Sequence, residues 1–362
     1  MPDRGGMSMA AMHGTPACDT NHPRHLRAQC GMTSPTPLRE PLFPPSMKGT
    51  QHDLSAEAMA EIQTLNRPAP GRWLLQCAII WASVALFVTA AELADHWAVT
   101  VLAVLLIGSR QLALGYLMHD QAHHSAFRFK GGDLLANVLA AYPLLVATTE
   151  KYAQVHLSHH RHYFTEQDPD FVRKQGPEWT YPQTRTQMFR TFAREFLGLN
   201  LVRLIKGKTL GNVTLYRRLD TIPGWVRPAY YAALAVVLTL TGTWIEFLLY
   251  WVLPLVTVMQ ALLRFEAICE HQYDMPGARV EDTTPLIILP WWQKLFIPDL
   301  NFGMHVYHHY FPGVPFCHLP KVHRIFAREG LVDEDRVFHG YGGILRTVIR
   351  RTGQAEGQPA SA

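Results

Sequence analysis

The sequence predicts an all-α integral membrane protein: two transmembrane helical hairpins, four spans in all, carrying a cytoplasmic helical cap that binds metal. Three observations predict it. Apolar residues make up 48% of the 362-residue chain and charged ones only 17%, against roughly 25% charged in an ordinary soluble chain, and the deficit is gathered into a few apolar runs. Three histidine clusters lie outside those runs, at His119–His124, His156–His160 and His305–His309. Lys and Arg are absent from the two short turns between paired runs and abundant in the segment that separates the pairs.

Residues 1–50 are rich in Pro, Met, Gly and polar residues without an apolar period and are expected to be disordered. Cys18, His22, His25 and Cys30 fit no familiar zinc-finger spacing. The stretch has no apolar core of a secretory signal near its start, and Met47 offers a later start. Five cysteines, odd in number and without a CxxC pair, suit a reducing, cytoplasmic setting. A net charge of +4, mild and dispersed, leaves no footprint for nucleic acid.

The membrane domain is expected over residues 51–340. Ser55 caps a helix running from Ala56 to Leu65, ended by Pro68. Spans are expected at about 73–93 and 97–118, joined by a short acidic link with Glu92 and Asp95, and at about 225–240 and 244–263, turned at Thr241-Gly242-Thr243. Arg110 and Gln111 fall inside the second span, where an arginine is costly unless it meets a partner or a water-filled site. The apolar run 134–149 is short and holds Pro143, which suits a re-entrant or interfacial segment. Trp291 and Trp292 mark an interfacial patch. Leu319 to Arg328 reads as a helix on the membrane surface, and 341–362 as a polar tail. Arg173, Lys174, Arg203, Lys206, Lys208, Arg217 and Arg218, all between the hairpins, put that segment, both termini and every histidine cluster on the cytoplasmic side.

The clusters carry the chemistry. His305, His308 and His309 stand at i, i+3 and i+4, and so do His156, His159 and His160; on a helix such positions share one face. His119 and His123 are four apart, directly where the second span ends. With 19 histidines in the chain, two HxxHH copies plus a third cluster arise by chance on the order of once in a thousand such chains. Neutral imidazoles suit Zn, Cu, Fe or Ni without choosing among them. Eight candidate ligands (His119, His123, His156, His159, His160, His305, His308 and His309) are too many for one tetrahedral zinc, and two metals fit better.

These boxes, HxxxH, HxxHH and HxxHH around two membrane hairpins, resemble the integral-membrane fatty acid desaturases and their hydroxylase relatives over about residues 70–330. His119-Asp120 at the end of a span, Asp168-Pro169-Asp170 after the second box, Asn301-Phe302-Gly303 before the third, and Phe311-Pro-Gly-Val-Pro315 with Leu319-Pro320 after it belong to the same likeness. The resemblance implies two non-haem iron ions at the cytoplasmic end of a four-helix membrane bundle, with O2 as co-substrate and a fatty-acyl or similar lipid chain losing hydrogen. It implies a ninth ligand at His271, at the end of the fourth span. Asp120, Asp168, Asp170, Glu270 and Asn301 flank the boxes as candidates to support the ligands from behind, since metal-bound histidines commonly donate their other N–H to a carboxylate. His124 and His162 are expected beside the ligands, and His318, His323 and His339 on the surface. Trp291, Trp292 and Tyr307 are read as interfacial or packing residues ahead of a substrate path. No His-Pro-Gly-Gly haem stretch is present, so electrons are expected from a separate ferredoxin, rubredoxin or cytochrome.

The motifs leave the outcome of oxidation open. Desaturation of an acyl chain leads; hydroxylation or ketolation on the same scaffold, or action on a small amphipathic metabolite or a carotenoid, stands as the alternative. A membrane metal transporter or storage protein is the reading from another class, and it would place ligands along a pathway inside the spans, whereas here they follow the spans.

Overall fold

The computed structural model describes residues 40–145, 148–199, 213–218 and 222–349. The expected N-terminal disorder up to residue 39, the Cys18–Cys30 cluster and the basic residues Arg203, Lys206 and Lys208 lie outside the described residues. Among those described, regular structure is helical and β pairing is confined to isolated bridges such as Met47–Val332.

Helices α2 (Pro70–Ala94) and α3 (Trp97–Ala122) form the first hairpin. Asp95 closes α2 in the left-handed region at φ 45, and the His96 ring accepts from Ala98 N to cap α3. The first half of α3 exposes Val101, Leu102 and Leu105, while Leu112, Leu114 and Leu117 in its second half are buried. An apolar outer face beside a packed inner half is what a helix between lipid and protein requires.

Three helices are long and apolar enough to cross a membrane: α2, α3 and the interrupted helix α6 (Trp244–Glu270), with 25, 26 and 27 residues. The third expected span departs from this. Helix α5 (Val226–Thr241) has 16 residues, about 24 Å of rise against a hydrocarbon core of roughly 30 Å. Pro223 and Gly224 stand just ahead of it, and Gly242 at φ 72 ends it.

Helix α6 is broken twice, by a π-turn at Leu248–Val252 and at Thr257. Gln111 reaches across from α3 to donate to Trp251 O at 2.7 Å, meeting a carbonyl at the break. Gly108 lets the two helices touch, because a Cβ there would come within 2.5 Å of Val258 Cβ. The 134–149 run winds through α, π and 3-10 turns over Gly132–Leu144. Trp81 and Trp251 donate their indole N–H groups to Leu139 O and Pro143 O at 3.0 and 2.8 Å. Irregular backbone at membrane depth is tolerated when protein groups satisfy it in this way.

Arg110 finds its partners. Its guanidinium donates to Leu295 O at 2.7 Å and Phe296 O at 3.1 Å, at the C-terminal end of helix α7 (Trp291–Phe296). On α7, Trp291 is 75% and Leu295 58% exposed, an apolar surface helix tied to the hairpin by one buried cation.

Helix α1 (Ala56–Leu65) has the expected cap, with Ser55 Oγ accepting from Ala58 N. Helix α9 (Leu319–Arg328) forms where expected but not for the expected purpose. Its apolar stripe, Leu319, Val322, Ile325 and Phe326, is buried in a core with Ala58, Ile62 and Tyr307, and Arg328 pairs with Glu61 at 2.7 Å. The stripe faces α1 rather than lipid. Two expected boundaries also shift. Leu42, Phe43 and Met47, inside the stretch read as disordered, are buried, and Leu42 N donates to Gln272 Oε1. Helix α10 (Tyr341–Val348), inside the expected tail, buries Tyr341, Ile344 and Val348. Short apolar clusters among polar residues dock onto a core that local composition does not reveal.

Candidate metal centre

Four elements bring nine histidines together. The last turn of α3 supplies His119 and the residue after it His123; helix α4 (Thr149–Arg161) supplies His156, His159 and His160; the residue after α6 is His271; and helix α8 (His305–Tyr310) supplies His305, His308 and His309.

The rings form two groups. Nitrogens of His119, His123, His156 and His308 all lie within 4.8 Å of one another, as do those of His159, His271 and His309. His160 joins the first, its Nε2 3.0 Å from Nε2 of both His156 and His308. His305 adjoins the second, with Nε2 3.2 Å from that of His309, which in turn lies 3.1 Å from that of His271. The groups meet where His160 and His309 stack at 4.3 Å.

Chemistry tests whether these residues suit metal. Two imidazole nitrogens bound to one ion at about 2.1 Å sit about 3.0–3.4 Å apart, the spacing found here. His119 Nε2 and His123 Nε2 are buried without a hydrogen-bond partner, a costly state for a polar atom unless something else binds it. The residues fit.

The outward ring nitrogens are held in several cases. His159 Nδ1 lies 2.8 Å from Asp168 Oδ2; a carboxylate only accepts, so the proton is on Nδ1 and the lone pair on Nε2 faces the group. Asp168 also accepts from Phe164, Asp170 and Phe171 N, capping the helix Pro169–Arg173. His271 Nδ1 sits 3.0 Å from Tyr163 Oη and 2.9 Å from Thr284 Oγ1. Burial drives the rings of His156, His160, His271, His305, His308 and His309 well below the usual histidine pKa, with neighbouring histidines adding to it. His123 falls to about 3, chiefly by burial and secondarily through Arg218. Neutral rings offer the lone pairs that metal ions need.

The other flanking residues take different places. Asp120 Oδ1 accepts from Phe316 N, tying α3 to the chain after the third box. Asp170 pairs with Arg173 and lies 3.7 Å from Lys174. Asn301, at φ 67, bonds Phe316 O and Lys294 rather than a histidine. Phe302 then lays its ring 4.5 Å from that of His119, and Gly303 passes so close to Ile287 that a Cβ would sit 2.5 Å from its carbonyl oxygen. Glu270 faces a cavity. Among the histidines expected elsewhere, His124 and His339 are exposed, whereas His318 and His323 are half-buried and bound to Leu65 O and Tyr307 Oη. Tyr307 is fully buried packing.

Sequence reasoning missed the buried brace under the first box. Arg218, read from the sequence as one of the positive charges on the cytoplasmic side, is 9% exposed. It pairs with Asp133 at 2.7 Å and donates to Ala122 O at the end of α3, and Gln121 bonds the same Asp133 oxygen. It also missed Tyr163 and Thr284; only the nearness of Tyr163 to the second box hinted at it.

A cavity of ≈ 630 Å³ opens onto His119, His156, His159, His271 and His305. Leu112, Met259 and Leu263 give it apolar wall, and Lys151, Glu266 and Glu270 give it charge.

Residues 95–342 match the model of a protein family described as fatty acid desaturase. The chain is also 27% identical over 253 residues to the dihydrorhizobitoxine desaturase of Bradyrhizobium elkanii, covering 66% of this chain and 70% of that protein.

Proposed function

The chain belongs to the fatty acid desaturase family, and on that premise we propose that it is a membrane-bound, O2-dependent oxidoreductase that introduces a double bond into a fatty-acyl or similar lipid chain. The observation that supports this reading most is the convergence of nine imidazoles in two groups beside a cavity lined by residues of the apolar helices α3 and α6. His119, His123, His156, His160 and His308 would hold one iron, and His159, His271, His305 and His309 the other. When bound, such ions supply O2 activation and the oxidising strength to take hydrogen from an unactivated C–H bond.

The chain's own residues do the rest. Asp168, Tyr163 and Thr284 fix ring orientation from behind. The Arg218–Asp133–Gln121 brace fixes the end of α3, and with it the spacing between the first and second boxes. Leu112, Met259 and Leu263 exclude water from an apolar substrate segment, so that one methylene is presented to the centre. Helix α5 completes the second hairpin as a short third span, and the cap faces the cytoplasm, where a separate ferredoxin, rubredoxin or cytochrome delivers electrons.

Expression in a host followed by mass spectrometry of its lipids and metabolites tests the reaction. Loss of two hydrogens from one compound class supports desaturation. Gain of one oxygen replaces it with hydroxylation on the same scaffold, and no change in any class removes the oxidative reading.

A further inference from the structure

The wall of the ≈ 630 Å³ cavity does not suit a plain hydrocarbon tail along its whole length. Along α6 the lining passes from Met259 and Leu263 to Glu266 and Glu270 and ends at His271. Leu263 and Glu270 are about 10 Å apart along the helix, so the change from apolar to acidic occurs within reach of a single small molecule. Helix α3 runs in parallel fashion from Leu112 to His119.

The charges there are incompletely matched. Glu266 is 8% exposed, and among the described residues neither it nor Glu270 is in an ion pair. Tyr116 of α3 hydrogen-bonds Glu266, and the Lys174 ammonium acts on both acids from a distance while lying 3.7 Å from Asp170. Buried acids matched only in this way are costly, and methylene groups around them would make it worse. Positive groups line the same space. Arg264 is also 8% exposed; its guanidinium stacks 3.5 Å from the Trp179 centroid and donates to Glu178 O, yet its Nε has no partner. Lys174 is held by Tyr273 Oη at 2.6 Å, and Lys151 stands exposed at the rim. A ligand that satisfies this wall brings both signs of charge.

We propose that the cavity binds a zwitterionic amphiphile, an amino-acid-type head on an apolar body, with the ammonium group against Glu266 and Glu270 and the carboxylate toward Arg264 and the lysines. The inference rests on the oxidative reading above and narrows its substrate class. The apolar body lies along Leu112, Met259 and Leu263, which keeps the head beside the histidines and sets the distance from head to reacting carbon.

The test uses the metal-loaded protein in phospholipid nanodiscs, without reductant, and three probes sharing one chain: 2-aminododecanoic acid, dodecanoic acid and dodecylamine. Equilibrium dialysis against empty nanodiscs removes partitioning into lipid. The zwitterion should bind at least about tenfold more tightly than either singly charged probe, the scale of one charge-assisted hydrogen bond. The E266Q/E270Q variant should lose that advantage while metal content, melting temperature and dodecanoic acid binding stay at parental values. Equal or tighter binding of dodecanoic acid or dodecylamine overturns the proposal, as does a folded, metal-loaded variant that keeps the preference. The parental ranking decides even if the variant fails to fold. Adding reductant and O2 then separates the two readings. Loss of two hydrogens from dodecanoic acid alone sinks the zwitterion and keeps the desaturase, whereas a preferred zwitterion with no probe oxidised does the reverse.

Discussion

His159 donates its Nδ1 proton to Asp168 across 2.8 Å, and neither side chain is more than 2% exposed. One carboxylate thereby sets the tautomer of a histidine in the second box, caps the helix that follows and anchors the intervening turn at Phe164 N. Asp168→Asn keeps the size but replaces an accepting oxygen with an amide. We expect metal affinity or activity to fall about 10–100-fold, the usual cost of losing such support. Metal per chain after dialysis measures it; parental occupancy would reduce Asp168 to a helix cap.

His271 separates a ninth ligand from a merely buried ring. It is 3% exposed, with Nε2 3.3 Å from that of His159 and 3.1 Å from that of His309. His271→Ala should lower iron content and turnover together while the protein stays in the membrane, as should His119→Ala. His318→Ala, which loses only a bond to Leu65 O, should match the parent in both. Full iron and near-parental turnover in His271→Ala would leave an eight-histidine centre.

The metal-free protein should weaken as pH falls. Burial holds His156, His160, His305, His308 and His309 well below their ordinary pKa and His123 at about 3. The unfolded chain therefore takes up protons that the folded chain refuses, so this contribution to stability is complete above the ordinary histidine pKa and is lost as pH drops below it. Each such ring costs up to about 1.4 kcal/mol per pH unit below about 6.5. Thermal melts of chelator-treated protein at about pH 7.5 and about pH 5 should differ, with the lower temperature in acid. Identical melts would mean that the rings are not buried together without metal.

Orientation is checked by labelling single cysteines. Asp95→Cys and Thr241→Cys, at the two hairpin tips, should react with an impermeant reagent from outside, and Arg173→Cys only after permeabilisation. Thr241 serves better than Gly242, whose φ of 72 favours glycine. Outside labelling at position 173 would part the cavity mouth from the cytoplasm.

What could be read from the sequence was local. The histidine spacing announced a shared face, Ser55 announced α1, and the segment from Leu319 to Arg328 announced α9. Local sequence does not say what covers a helix, and a place on the membrane surface was inferred for one whose apolar stripe packs with α1. Arg218 reads as one more positive charge between hairpins until Asp133, 85 residues away, is found beside it. The π-turns at Asn137–Ala141 and Leu248–Val252 escape notice because mainly apolar segments look the same in an α- or a π-turn. Their relief comes from distant indole and amide donors. The convergence of the histidines was legible because they repeat at helical spacing; the residues that brace them were not, because each is a single polar residue meeting a partner far along the chain.

The central claim is that nine histidines hold two iron ions, and iron per chain in the protein purified from a host grown with iron, zinc and copper tests it most directly. The account predicts two tightly held irons for each chain, one for each histidine group, retained through dialysis and lost together in His160→Ala, whose ring stands between the groups. Less than one iron per chain, or a loosely held mixture of metals that leaves on dialysis, would contradict it.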